Sequence, residues 1–203
     1  DLCLSVKWAS CNLGASKPEE YGDYYAWGEI DPYYSSQDPL TWKDGKRGYN
    51  WDSYKWSNGS SNTLTKYITN SSYGTVDNKT VLEPEDDVAH VKLGGKWRMP
   101  TYAEWSELKA KCTWTWTTNY NGTGVKGRIV TATNGNSIFL PAAGYWSDAD
   151  LINAGSYGDY RSSSVYTDEG IPSYAWSVVF NYTYLLRNYC YRCNGHSVRP
   201  VSE

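Results

Sequence analysis

Three groups of residues carry types and spacings that chemistry uses. Cys190-x-x-Cys193 has the spacing of a redox pair or of half a zinc site. No second Cys-x-x-Cys exists, and His90 and His196 are the only histidines, so no four-ligand pattern is completed. Glu83, Glu85, Asp86 and Asp87 crowd together, and paired carboxylates can hold calcium or act as acid and base. Pro84 and a helix start account for them more simply, as first-turn charge facing the helix dipole. Neither histidine has a Ser or Cys nucleophile in a recognisable local signature. Gly94-Gly95 ends a helix rather than opening a phosphate loop. The expectation is therefore no catalytic residue, no bound metal and no cofactor.

The third group is aromatic. The chain has 20 Tyr and 11 Trp against 2 Phe. Tyr and Trp join a large apolar body to a polar handle and suit surfaces that bind. Eight of the tyrosines lie between Tyr157 and Tyr191, and from Gly170 to Tyr191 the only charge is Arg187. Tyr and Arg dominate binding hot spots because they give large contact area at low entropy cost. The candidate contact residues are Tyr160, Arg161, Tyr166, Asn181, Tyr182, Tyr184, Arg187, Asn188, Tyr189 and Tyr191. On a strand, Tyr182 and Tyr184 share one face, and so do Tyr189 and Tyr191.

The elements that must position these residues follow from pattern. Leu2, Leu4, Val6 and Trp8 alternate as one face of a first strand. An irregular stretch follows from about residue 12 to 79, pinned by Trp27, Trp42, Trp51 and Trp56. Pro84 starts one helix, with Val88 and Val91 on one face. Thr101-Tyr-Ala-Glu104 is a capping box for a second, with Trp105, Leu108 and Cys112 as a buried stripe. Beyond Cys112 the pattern becomes β. A hairpin turns at Asn134-Gly135 in the type I′ manner, and runs recur near 158–164, 175–181, 183–192 and 197–201. The class is α+β, two helices plus a mixed or antiparallel sheet with long irregular insertions, as one domain over residues 1–203.

Composition narrows the partners. A net charge of −3 does not suit nucleic acid. No apolar run is long enough to insert in a membrane. The absence of a signal segment at Asp1 is that expected of a mature or trimmed chain. Five cysteines leave at least one unpaired within the chain.

Several segments together resemble one family. They are Asp1-Leu-Cys-Leu-Ser-Val-Lys-Trp-Ala9, Gly22-Asp-Tyr-Tyr-Ala-Trp-Gly-Glu29, Gly94-Gly-Lys-Trp-Arg-Met-Pro-Thr-Tyr-Ala-Glu-Trp105, Phe139-Leu-Pro-Ala-Ala-Gly-Tyr145 and Ser197-Val-Arg-Pro-Val201. The set resembles the Fibrobacter succinogenes major paralogous domain proteins of gut Bacteroidetes. Arg98-Met-Pro-Thr-Tyr-Ala-Glu-Trp105 is also similar to a motif of formylglycine-generating-enzyme-like domains. The resemblance implies a C-type-lectin-like fold with paired terminal strands, an insertion at about 30–80 and a location outside the cell or on its surface. It also raises an oxidase-type activity as the alternative. The C-terminal cysteines of those oxidases are separated by four residues, and Cys190 and Cys193 by two.

The C-terminal tract carries a further resemblance, to the variable proteins of diversity-generating retroelements. Those proteins place hypervariable positions just before the closing strand. Mutation of asparagine codons at adenines cannot yield Glu, Lys, Gln, Met or Trp, and Asn181 to His196 contains none of these. Trp176 would then be scaffold. Arg161 stands where the family tends to have Trp, which marks either altered packing or a contact. The expected function is non-enzymatic binding of a protein or glycan ligand through a tract at about 158–196. The alternatives are the oxidase or a structural domain of a surface assembly.

Overall fold

The helix caps lie close to where the sequence puts them. The computed structural model describes residues 1–203, with helices α1 (Val88–Leu93) and α2 (Tyr102–Lys111). Thr101 caps α2: its hydroxyl accepts from the Glu104 N–H at 3.3 Å, and the Glu104 carboxylate accepts from the Thr101 N–H at 2.7 Å. Trp105 and Leu108 point into the core, while Cys112 falls just past the helix as its C-cap.

α1 starts later than Pro84. Residues Pro84–Asp86 form a separate 3-10 turn, and Asp87 is the cap. Its short carboxylate reaches the N–H groups of Ala89 at 2.9 Å and His90 at 3.1 Å, and also that of Met99 at 2.8 Å. The acidic cluster is thus shared out rather than loaded on one dipole. Asp86 is buried and pairs with Lys66 at 2.6 Å, and Glu83 pairs with Lys66 and Lys79, each at 2.6 Å.

Glu104 also holds Arg98, with Nη2 to Oε1 at 2.6 Å. Burial opposes its charge, but Arg98 and the Thr101 N–H outweigh burial and hold the carboxyl below its ordinary range. A depressed carboxyl stabilises the fold above its unfolded value of about 4.3 and loses that contribution as pH falls through the folded value. Glu104→Gln is expected to lower stability at pH 7 by about 1–2 kcal/mol. The gap in melting temperature to the wild type should narrow as pH falls below about 4.3; a gap that does not change on acidification would contradict the role of the charge.

The strands, in chain order, begin with β1 (Lys7–Trp8), β2 (Tyr24–Tyr25), β3 (Tyr34–Gln37), β4 (Leu40–Trp42) and β5 (Trp97–Arg98). After α2 come β6 (Thr113–Thr117), β7 (Gly127–Thr131), β8 (Ser137–Pro141), β9 (Tyr145–Ser147) and β10 (Asp150–Ile152). The last are β11 (Gly158–Val165), β12 (Tyr174–Phe180), β13 (Leu185–Tyr191), β14 (Gly195–Ser197) and β15 (Val201–Ser202). The largest sheet runs β10-β9-β14-β11-β12-β13, with β2 also pairing β14. β1 pairs β15, which pairs β5, so the two ends of the chain meet in a small sheet. β6, β7 and β8 form a third sheet. The architecture is α+β.

Three expectations change. Only Lys7 and Trp8 of the first run pair as strand, because Cys3 takes a positive φ of 52°, yet Leu2, Val6 and Trp8 still enter the core. The closing run splits into β14 and β15, because Arg199 turns inward to the carbonyls of Ala9, Ser10 and Phe139 and Pro200 has no N–H to donate. The β7–β8 hairpin is not type I′, which needs both central residues at positive φ. Of Asn134 and Gly135 only Gly135 has one, 85°, and its N–H donates to Ala132 O.

The irregular segment is pinned chiefly by tyrosine. Trp27 is buried, whereas Trp42, Trp51 and Trp56 are only half-buried. Tyr24, Tyr49 and Tyr54 are buried, and their hydroxyls donate to the carbonyls of Ala143 (2.5 Å), Tyr24 (2.7 Å) and Trp27 (2.7 Å). Backbone without regular pairing leaves carbonyls to satisfy, and Tyr does so while filling core volume; Phe would not. Much of the tyrosine excess is therefore interior glue, not binding surface.

Candidate functional site

The antiparallel strands β11, β12 and β13 set the site, and β13 is the outermost of them. Pairing of Tyr191 with Tyr174, Tyr189 with Trp176 and Arg187 with Val178 puts these residues on one face. Near Val178 and Phe180 that face is covered by Trp105 of α2. Farther along, beyond the helix start, it is open, and its aromatic rings form a continuous stripe. Tyr102 stacks on Trp176 at 4.2 Å, Tyr166 on Tyr189 at 4.2 Å and Tyr174 on Tyr191 at 4.6 Å. Edge contacts join the stacks: Tyr166 to Trp176 at 4.7 Å, Tyr174 to Tyr189 at 5.1 Å and Trp51 to Tyr191 at 5.6 Å. Arg187 lies 5.5 Å over the Tyr102 ring. Tyr189 and Tyr191 remain 39% and 42% exposed, large values for rings already stacked on neighbours.

The opposite face of the same strands is polar and partly closed. Asp159, Ser177, Asn188 and Cys190 meet there, against His196 on β14. Cys190 Sγ lies 3.6 Å from Asp159 Oδ2, and His196 Nδ1 lies 3.2 Å from Asp159 Oδ1. The imidazole stacks on Tyr145 at 5.2 Å between ring centres, with 6° between planes. Asp159 and Cys190 line a cavity of about 290 Å³ together with Tyr145, Tyr184 and Asn188. Arg161 is wholly buried beside this group. Its guanidinium donates to the carbonyls of Cys190 at 3.0 Å and Tyr191 at 2.9 Å, with longer bonds of 3.4 Å to Ala175 and Asn194.

Charge in this cluster follows from burial and from Arg161. Burial, then the Arg161 charge, push the His196 imidazole below its ordinary value, so it is neutral at pH 7. Burial opposes the Asp159 charge, but the imidazole in its protonated form, the Arg161 charge and the Ser177 hydroxyl outweigh it and hold the carboxyl below its usual range. Burial and the Asp159 charge push the Cys190 thiol up. Cys193, buried among the aromatics of the irregular segment, is raised by burial to about 12. All five cysteines are free, and the two of the Cys-x-x-Cys spacing occupy separate surroundings.

The β12–β13 connection is a turn rather than strand. Asn181 Oδ1 accepts from the N–H groups of Thr183 at 2.8 Å and Tyr184 at 2.9 Å, and Asn181 O accepts from Arg128 at 2.6 Å. Tyr182 and Tyr184 therefore do not share a strand face. Tyr182 stands at the tip, 72% exposed, while Tyr184 packs edge-on to Tyr157 at 6.0 Å beside the cavity.

The predicted contact residues thus divide. Arg187, Tyr189 and Tyr191 come together on the open stripe. Tyr184 and Asn188 line the cavity on the other face, and Tyr182 at the turn lines, with Asn181, Trp116 and Tyr157, a separate cavity of about 450 Å³. Tyr160, Arg161, Tyr166 and Asn181 are corrected to interior positions. Tyr160 donates to Pro141 O and belongs to the α2 core. Arg161 is a packing residue that ties β13 down, Tyr166 props Tyr189 from below, and Asn181 builds the turn. Sequence reading missed Tyr102, which looked only like a helix start, and Trp51, which looked only like a loop anchor. It also missed Asp159, an isolated acid whose meaning appears only when β11 lies between β12 and β14. No helix is long and apolar enough to cross a membrane. No family model, curated protein or solved structure matches the chain.

Proposed function

We propose that the protein is a receptor- or adhesion-type ligand-binding domain, and that its ligand, a protein or glycan, seats on the stripe formed by Arg187, Tyr189 and Tyr191 with Tyr174 and Trp176. The carrying observation is that these rings stack continuously yet stay open to solvent at the edge of a sheet. Rigid, half-exposed aromatics beside an arginine lose little entropy on binding. An edge strand also offers unpaired backbone groups for strand addition by a protein partner. The scaffold is read as C-type-lectin-like, supported by the pairing of the chain ends beside two helices. Diversification by a retroelement belongs to the same reading, and the solvent-facing positions 182, 186, 187, 189 and 191 support it. The buried Arg192, Asn194 and His196 would then be scaffold, which narrows the tract.

The test uses a glycan array and a phage-displayed random peptide library against wild type and an Arg187→Ala/Tyr189→Ala/Tyr191→Ala variant. Hot-spot aromatics are worth about 2 kcal/mol or more each, so selected binders should weaken at least about thirtyfold on the variant while its melting temperature stays within a few degrees. Binders that ignore the substitutions, or a failure of both libraries to yield any, overturn the reading.

A further inference from the structure

We propose that Asp159, Cys190 and His196 form a mononuclear zinc-class site, with three protein ligands and a fourth position open to the cavity beneath β13. One donor atom from each of the three residues lies within 4.8 Å of the others. His196 Nδ1 lies 3.2 Å from Asp159 Oδ1 and Cys190 Sγ 3.6 Å from Asp159 Oδ2, so the two carboxylate oxygens each approach one of the other ligands at about the 3.4–3.6 Å edge of a zinc tetrahedron, and a small carboxylate rotation would bring one oxygen to both.

The second observation is independent of that proximity. His196 is fully buried, and neither ring nitrogen has a hydrogen-bond partner. Its Nδ1 is near Asp159 Oδ1 but not aligned with it, and Oδ1 is likewise unpartnered. A buried polar atom without a partner costs about 1–3 kcal/mol, and native folds keep few of them. A cation would account for Asp159 Oδ1 and for one of the two imidazole nitrogens together.

The donor set selects the ion. Calcium and magnesium take oxygen ligands, not thiolate and imidazole. One thiolate, one imidazole and one carboxylate are a borderline set that suits zinc, and a three-ligand shell leaves a position for water or a ligand group. A nucleophilic triad fits less well. Asp159 touches both the histidine and the cysteine, and the imidazole makes no hydrogen bond to the thiol, so the base–nucleophile contact of a triad is missing.

The Arg161 charge opposes a cation here, and the two anionic ligands offset that repulsion. The Arg161 Nη1 and Nη2 groups donate to backbone carbonyls, and a zinc ion with one thiolate and one carboxylate is a neutral centre. The ligands sit on β11, β13 and β14, so the geometry is held by the sheet rather than by loops. This site stands apart from the ligand-binding reading, since Cys190 faces away from the stripe.

Chelator-treated, reduced protein titrated with Co²⁺ is the direct test. The expected result is saturation at one ion per chain, with the strong visible bands of tetrahedral cobalt and a near-ultraviolet thiolate-to-cobalt band, all abolished by one equivalent of Zn²⁺. Cys190→Ser should remove the near-ultraviolet band and weaken binding by about 100-fold or more, whereas Cys193→Ser and Cys3→Ser should leave both unchanged. Asp159→Asn, which preserves shape, should weaken binding without removing the thiolate band. No saturable cobalt spectrum in the wild type overturns the proposal, and so does a thiolate band that survives Cys190→Ser.

Discussion

Arg192→Met is expected to destabilise the protein by about 3–5 kcal/mol, the effect of leaving a buried constellation without its donor. Arg192 is fully buried and has no carboxylate partner. Its guanidinium donates to the Tyr54 hydroxyl at 3.0 Å and to the carbonyls of Tyr67 (3.2 Å), Pro172 (3.0 Å) and Lys66 (2.9 Å). It also lies 4.7 Å over the Trp27 ring. One side chain therefore joins the irregular segment to the strand that follows the aromatic stripe. Met fills similar volume but leaves three carbonyls and a hydroxyl buried without donors. Arg192→Lys should fall between, since a single ammonium cannot reproduce the planar fork. The measurement is urea unfolding, with limited proteolysis to locate the damage. Cleavage should rise within residues 54–67, and Arg187→Met on the open stripe should cost less than about 0.5 kcal/mol. If Arg192→Met and Arg187→Met unfold alike, the carbonyl cage contributes nothing.

The same residue shows where the sequence is legible and where it is not. Local chemistry reads well. The Thr101–Glu104 capping box, the alternation of Trp114 with Trp116 and the strands near residues 158, 175 and 185 all follow from spacing, and each is set by neighbours in the chain. Long-range satisfaction does not read. Arg161, Arg192 and Arg199 look like surface charge by residue type, but each is buried among carbonyls supplied by distant segments. Tyrosine is ambiguous for the same reason. Tyr189 and Tyr191 face solvent, whereas Tyr54 and Tyr160 fill the interior, and only tertiary pairing separates them. The Asp159, Cys190 and His196 cluster is half visible. Cys190 and His196 stand out as rare residues, yet the sequence spacing pairs Cys190 with Cys193, because spacing cannot show that β11 brings Asp159 between Cys190 and His196.

Gly144→Ala is expected to cost about 2–5 kcal/mol and to disturb the polar cluster from outside it. Gly144 has φ 63°, a left-handed conformation that costs an L side chain about 1–2 kcal/mol. An added Cβ would also lie 2.2 Å from Ile152 O and 2.6 Å from Ala154 N. Both are backbone atoms and cannot rotate aside, so overpacking adds roughly 1–3 kcal/mol. Gly135 separates the two causes. Its φ of 85° is equally left-handed, but nothing lies within 4 Å of an added Cβ. Gly135→Ala should therefore show the conformational cost alone, about 1–2 kcal/mol. The positions also differ in what they hold. Gly144 precedes Tyr145, whose ring stacks on His196, and the Gly144 N–H donates to Tyr157 O at 2.7 Å, beside the Tyr157–Tyr184 contact. A shift of this backbone moves Tyr145 off His196, so near-ultraviolet circular dichroism should change for Gly144→Ala and not for Gly135→Ala. Equal costs and equal spectra for the two would mean that the close approach of the Ile152–Ala154 backbone exerts no force, and that the cluster is positioned by its own strands alone.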